Sequence, residues 1–176
     1  MTQSRRLASD VMVPMRDGVR LATDIYSPAT SAGPWPAILV RNSYNKTFSE
    51  WDGVPDWYVQ RGYVFIIQDI RSRYKSEGDG RYYHTCNNWE GEDGYDSVEW
   101  IAAQPWCNGK VGMMGSSHRA IVQTQAALHR PPHLAAICPE QGPTNIYLHE
   151  AREGGAMALH MSTPIYNHAL DAHELR

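Results

Sequence analysis

The stretch Lys110-Val-Gly-Met-Met-Gly115-Ser116-Ser117-His118-Arg119-Ala120 constrains the fold of this chain more than any other. Its apolar approach (Val111, Met113, Met114) reads as a short buried strand, and Ile121 to Leu128 reads as a helix, so the backbone must bend sharply at Gly115-Ser116-Ser117. A serine at such a strand-to-helix bend is held in a strained turn, with its hydroxyl clear of the backbone. The helix N-terminus beyond it offers unpaired N–H groups to a developing oxyanion. Ser117 is therefore the expected nucleophile, against the plainer reading of a surface serine at a helix start. Ser116 is set aside because only Ser117 stands two residues after the elbow glycine.

Around this elbow the pattern is an antiparallel start followed by repeated strand–helix units. Val11–Met15 and Val19–Tyr26 flank Arg16-Asp17-Gly18, where the Asp-Gly step signals a hairpin. Ala37–Val40 and Tyr63–Ile67 are continuous apolar runs of the kind buried on both faces of a parallel sheet. Trp51–Arg61 is expected as a short helix capped by Gly62. Residues 71–89 are polar and read as loop. Glu92–Gln104 is expected as a helix with acidic residues in its first turn and an inner stripe of Tyr95, Val98, Ile101 and Ala102. Pro105 ends it, and Asn108-Gly109 turns the chain into the elbow strand. After Arg130-Pro131-Pro132, Leu134–Cys138 is one more strand. The expected architecture is α/β, a mostly parallel sheet with helices on both faces. Residues 1–142 form this core. Residues 143–176, with weak helical periodicity, are expected to begin a helical insertion over the C-terminal edge of the sheet.

Composition removes several classes of function. With 42% hydrophobic and 20% charged residues and a net charge of −3, the chain has an ordinary core and no basic field for nucleic acid. No run approaches the roughly 18 apolar residues of a membrane span, and the N-terminus lacks an apolar signal core. The three cysteines (Cys86, Cys107, Cys138) show no metal-type spacing and are expected as reduced thiols in a cytoplasmic protein. No cofactor or metal is expected. His160, His168, Asp171 and His173 fit neither a metal pair nor a strand-end triad. Asp69 ends a strand at the catalytic edge and is expected to pair with Arg71 or Arg73. The acidic run Glu90–Asp96 is read as a helix start.

Taken in order, the motifs resemble one family. Met15-Arg-Asp-Gly-Val-Arg-Leu21, Arg41-Asn-Ser-Tyr44-Asn-Lys46, Gln68-Asp-Ile-Arg71 and Ser76-Glu77-Gly78 carry the likeness, followed by Glu92-Asp-Gly-Tyr-Asp96. Glu99-Trp-Ile, Gln104-Pro-Trp-Cys-Asn-Gly-Lys-Val-Gly-Met113 and the elbow continue it. Together they are similar to the CocE/NonD hydrolases, a family that includes cocaine esterase, X-Pro dipeptidyl-peptidases and α-amino-acid ester hydrolases. The likeness extends from about residue 9 to about residue 160.

The resemblance implies an α/β-hydrolase core and acyl transfer from Ser117 through an acyl-enzyme intermediate. It also implies an oxyanion hole built from the backbone N–H of His118 and the hydroxyl of Tyr44. Tyr44 lies just past the C-terminal end of the Ala37–Val40 strand, at the height expected for the elbow. Three departures stand out. His118 and Ala120 occupy positions where the family commonly has tyrosine and glycine, and Ser72 stands where it usually has glycine. The family's triad acid and base come on later strands, so the sequence is expected to hold nucleophile and oxyanion hole without proton handling, a core truncated before the later strands. The implied substrates are acyl esters, α-amino esters or X-Pro peptides. Two alternatives stay open at this point: a catalytically inactive fragment, and a non-enzymatic α/β binding module. An open sheet edge is further expected to invite self-association.

Overall fold

A computed structural model describes residues 5–29, 33–47, 51–78, 89–143, 145, 148 and 152–159. Strands β1 (Arg5–Pro14) and β2 (Arg20–Pro28) form the expected hairpin, pairing Val13 with Leu21 and Pro14 with Arg20. Its turn closes through Gly18 N–H to Met15 C=O, with Gly18 at φ 87°, a conformation that favours glycine. The remaining strands are β3 (Trp35–Asn42), β4 (Val64–Asp69), β5 (Cys107–Ser116) and β6 (Leu134–Glu140). They join the hairpin in one six-stranded sheet of order β1-β2-β4-β3-β5-β6. β2 runs antiparallel to β4, and the four strands from β4 to β6 are parallel.

The helices cover both faces, as the pattern required. Leu39, Ile66, Val111 and Met113 point to one face and meet Val98 and Ile101 of α2 (Trp89–Ala102) and Ala126 of α3 (His118–Leu128). Val40, Phe65 and Ile67 point to the other and meet Val54 and Tyr58 of α1 (Val54–Val59). The period-two alternation of each buried strand thus feeds two separate cores. Burying each such aliphatic side chain contributes roughly 1.5–3 kcal/mol.

α2 departs from expectation in its start and its stripe. It begins three residues early, at Trp89, and buries Glu90, Gly91, Asp93, Gly94, Ser97, Val98 and Ile101. Tyr95 and Ala102 are only half-buried. The reason is close packing against α3: a Cβ on Gly91 would stand 2.4 Å from the His129 ring, and one on Gly94 2.5 Å from Ala126 Cβ. Val98 and Ile101 of the expected stripe do enter the core, with Ala102 packed against it, while the two glycines face α3 and the acids Glu90 and Asp93 meet Arg41 and Arg71. α1 is shorter than expected, with Gly62 at φ 79° following its last turn.

β6 is exposed along Ala135–Glu140, and among the described strands its outer edge carries no partner. That edge is the surface the expected self-association would use. In the 143–176 segment the described residues include a two-stranded hairpin, β7 (Arg152–Glu153) with β8 (Ala156–Met157). The chain is extended at these four strand residues. His149, His160, His168, Asp171 and His173 lie outside the described residues, as does Cys86.

Candidate active site

Parallel strands end on a common edge, and this edge collects the chemistry. Asn42 ends β3 beside Asp69 at the end of β4, and Ser116 ends β5 beside Glu140 at the end of β6. Ser117 follows β5 directly, with φ 58° and ψ −128°. A non-glycine residue in that region costs of order 1–3 kcal/mol and persists where the surroundings impose it. Here they do: Ser117 N–H donates to Glu140 C=O at 3.0 Å, and Ser117 C=O accepts from Ala120 N–H at 2.8 Å.

Ser117 occupies the N-cap position of α3, yet its hydroxyl makes no capping bond. An ordinary N-cap serine spends its oxygen on the helix's free N–H groups. This one is exposed while Gly115, His118, Arg119 and Ala120 around it are buried. Among the described residues its side-chain partner is Tyr44, whose O–H donates to Ser117 Oγ at 3.1 Å. His118 N–H donates in turn to Tyr44 Oη at 3.3 Å. The three sequence-predicted residues therefore converge on one point. The His118 ring is buried, at 1% exposure, behind the elbow, and contributes its backbone to the site.

Tyr44 is carried by a loop that is fixed on several sides. Its own N–H donates to Asn42 Oδ1 at 3.3 Å, and Ser43 C=O accepts from Arg73 Nε at 3.0 Å. Lys46 N–H donates to Asp69 Oδ1 at 2.7 Å. The buried Lys46 ammonium meets Asp24 at 2.8 Å and Asp10 at 2.7 Å. Beside this loop lies a cavity of about 250 Å³ lined by Asn45, Lys46, Thr47, Asp69, Tyr74 and Lys75.

Asp69 corrects one expectation. Neither arginine pairs with it: Arg71 binds Asp17 and Asp93, and Arg73 reaches Ser43. Two arginines just past the strand end suggested a local pair, but the chain turns after Ile70, taking Arg71 to Asp17 and Asp93 and Arg73 to Ser43, and Arg73 acts on Asp69 as a nearby charge without a hydrogen bond. Burial pushes the Asp69 carboxyl up to about 7, against the opposing pull of the Lys46 N–H and charge. Its pKa is raised on folding from about 3.8. The resulting stability is complete below that value and is lost as pH rises through about 7. Asp69→Asn keeps the acceptor for Lys46 N–H and removes the ionisation. It is expected to gain on the natural protein by about 3–4 kcal/mol between pH 4 and pH 8 in urea unfolding. Parallel pH profiles of the two proteins would show that Asp69 ionises freely.

The acidic run is more than a helix start. Glu90 and Asp93 are buried, with Glu90 Oε2 3.0 Å from Arg41 Nη1 and Asp93 Oδ1 2.6 Å from Arg71 Nη2. Asp96 lies 2.8 Å from Arg16 in the hairpin turn. Two residues that shape the site went unrecognised in the sequence. Gly142 faces the elbow helix, where a Cβ would stand 2.4 Å from Ala120 Cβ; a glycine opposite makes room for the methyl that Ala120 adds. Arg119 is buried with its guanidinium between the Tyr44 and Trp51 rings. Its signal was available: a cation in the first turn of a helix opposes the dipole and needs other partners.

Known proteins resemble this chain in sequence and fold. Residues 17–175 match the profile of the X-Pro dipeptidyl-peptidase (S15) family. The chain is 42% identical to cocaine esterase of a Rhodococcus species, over 80% of this chain and 24% of that protein. It is 32% identical to a putative serine esterase of Mycobacterium bovis, over 95% of this chain and 30% of that one. It therefore spans about a quarter to a third of the length of these relatives. A CocE/NonD family hydrolase from Staphylococcus aureus superposes with a TM-score of 0.81 at 26% identity, covering 96% of this chain and 34% of that one. An α-amino acid ester hydrolase superposes with a TM-score of 0.69 at 30% identity, covering 81% and 26% respectively.

Proposed function

Because the chain belongs to the X-Pro dipeptidyl-peptidase (S15) family, a family of hydrolases, we propose that it carries the nucleophile and oxyanion hole of a serine hydrolase acting on ester or amide bonds. The observation that carries this reading is the chain of hydrogen bonds at the elbow: His118 N–H donates to Tyr44 Oη (3.3 Å), and Tyr44 O–H donates to the uncapped hydroxyl of Ser117 (3.1 Å). Ser117 Oγ attacks the substrate carbonyl carbon as its proton passes to a base, and the carbonyl electron pair moves onto oxygen. Tyr44 O–H, which donates to Ser117 Oγ in the resting site, and His118 N–H, which donates to Tyr44 Oη, turn to that oxyanion. Its collapse breaks the bond to the alcohol or amine, which leaves with a proton. Water then cleaves the acyl-Ser117 ester by the same route.

The substrate class is an acyl ester, an α-amino ester or an X-Pro peptide. Among the described residues the side-chain partner of Ser117 is Tyr44, and the 176-residue chain by itself is proposed to turn over esters poorly. Free thiols at Cys107 and Cys138 are the support for a cytoplasmic setting.

A fluorophosphonate probe tests the assignment, with and without added imidazole as an external base. Ser117 is expected to be the modified residue by peptide mass, with labelling stimulated by imidazole and absent in Ser117→Ala. Labelling that persists in Ser117→Ala, or a natural chain that takes no label even with imidazole, would overturn it. Either result would leave the inactive or binding-module reading standing.

A further inference from the structure

Arg119 sits where electrostatics disfavours a cation. It lies in the first turn of α3, at the positive pole of the helix, with no acidic residue in that turn. It is also buried, at 9% exposure, and a buried guanidinium persists where neighbouring groups hold it. Several of those neighbours belong to the site. Arg119 Cζ lies 5.1 Å from the centroid of the Tyr44 ring and 5.1 Å from that of Trp51. Nη1 donates to Asn42 Oδ1 at 3.4 Å, the same oxygen that accepts Tyr44 N–H, and Nη2 donates to Ser116 Oγ at 3.5 Å. The aliphatic stem occupies the space beside Gly115, where a Cβ would stand 2.7 Å from Arg119 Cβ. The elbow glycine is thus needed twice, for its φ of 135° and for the arginine.

We infer that Arg119 is a positioning residue for the oxyanion donor: it clamps the Tyr44 ring so that the phenol bridges Ser117 Oγ and His118 N–H. The inference rests on reading Tyr44 as that donor. The Tyr44 ring is half-buried, and two contacts at 3.1 and 3.3 Å demand one orientation of it. A cation–π contact shifts the population of an aligned ring roughly 2- to 30-fold, more when desolvated. A guanidinium lies within cation–π distance of the Tyr44 and Trp51 rings while its N–H groups reach Asn42 and Ser116, four contacts that a compact ammonium cannot make at once.

Two readouts on the 176-residue chain test this. The first is the nuclear Overhauser contact between the Tyr44 ring and the His118 amide, with the ring signals assigned through Tyr44→Phe. The second is the imidazole-assisted rate of fluorophosphonate labelling at Ser117. In Arg119→Gln the contact is expected to vanish and labelling to slow about tenfold, with Arg119→Lys in between. Tyr44→Phe combined with Arg119→Gln is expected to be no slower than Tyr44→Phe alone, because the effect passes through Tyr44. An unchanged contact in Arg119→Gln, or losses that multiply in the double variant, would overturn the inference. If Ser117 takes no label in the natural chain, the hydrolase reading fails while the ring contact still decides the positioning role. If Arg119→Gln does not fold, Trp51→Leu removes one face of the clamp; the same contact is then expected to weaken, and its persistence unaltered would count against the clamp.

Discussion

Arg41→Ala is expected to destabilise the chain by about 3–5 kcal/mol, measured by urea unfolding followed through tryptophan fluorescence. Arg41 is 1% exposed and joins β3 to the N-terminal end of α2. Its Nη1 donates to Glu90 C=O at 2.7 Å and lies 3.0 Å from Glu90 Oε2, while Nη2 lies 3.7 Å from Asp93. Nε donates to Gln68 Oε1 at 3.2 Å, an oxygen that also accepts from Ser97. Truncation removes the guanidinium and leaves the buried Glu90 and Asp93 carboxylates, with Arg71 against Asp93 on the far side. The penalty comes from that uncompensated charge more than from the lost attraction, so it depends on pH. Burial already pushes the Glu90 carboxyl up to about 6, and without Arg41 it rises further. The deficit of the variant is therefore largest at high pH, shrinks as pH falls toward about 6 because Glu90 takes up its proton earlier in the variant than in the natural protein, and levels off below about 6. Arg41→Met combined with Glu90→Leu is expected to lose less than Arg41→Ala, since both charges go together. A loss below about 1 kcal/mol at pH 8 would show that this pair does not hold α2 against the sheet.

The parts of the molecule that could be read from sequence are those where one local rule decides. Asp17-Gly18 set the hairpin because few residues other than glycine tolerate its turn. Ala37–Val40 and Tyr63–Ile67 announced central parallel strands because both of their faces had to be apolar. The elbow was legible because an apolar strand, a glycine and a helix former left Ser117 one conformation. What could not be read depends on groups distant in sequence. The buried acids of α2 look like solvated helix-start charges until Arg41 and Arg71 are brought against them. Asp69 and its two arginines are neighbours in sequence and face different ways. Ala120 looks like an intrusion until Gly142 is placed opposite it. Tyr44 came from the family resemblance and its place at a strand end, and the anchors of its loop (Asp24, Asp69, Arg73) became visible only in the fold. The separation is physical: short-range sterics are written in adjacent residues, whereas the neutralisation of buried charge is a property of tertiary contact.

Tyr44→Phe is expected to slow fluorophosphonate labelling of Ser117 by about 10²- to 10³-fold while leaving stability within about 1 kcal/mol of the natural chain. The ring and its stacking on Arg119 are retained, so packing is nearly unchanged. What disappears is one hydroxyl, which in the resting site donates to Ser117 and accepts from His118 N–H. In the transition state that hydroxyl would donate to the oxyanion, where a neutral donor held in a fixed direction is worth far more than water. The remaining donor, His118 N–H at the start of α3, keeps labelling above that of Ser117→Ala. This ordering separates an oxyanion donor from a merely structural tyrosine. A packed tyrosine whose hydroxyl only props up Ser117 would change stability and labelling together, and modestly. A donor would change labelling alone, by orders of magnitude. The effect should also be confined to probes whose attack builds charge on oxygen: an alkylating reagent that reacts with Ser117 without a tetrahedral centre should react equally with both proteins. Equal fluorophosphonate rates for Tyr44→Phe and the natural chain would remove Tyr44 from the oxyanion hole and leave His118 N–H as its surviving assigned donor.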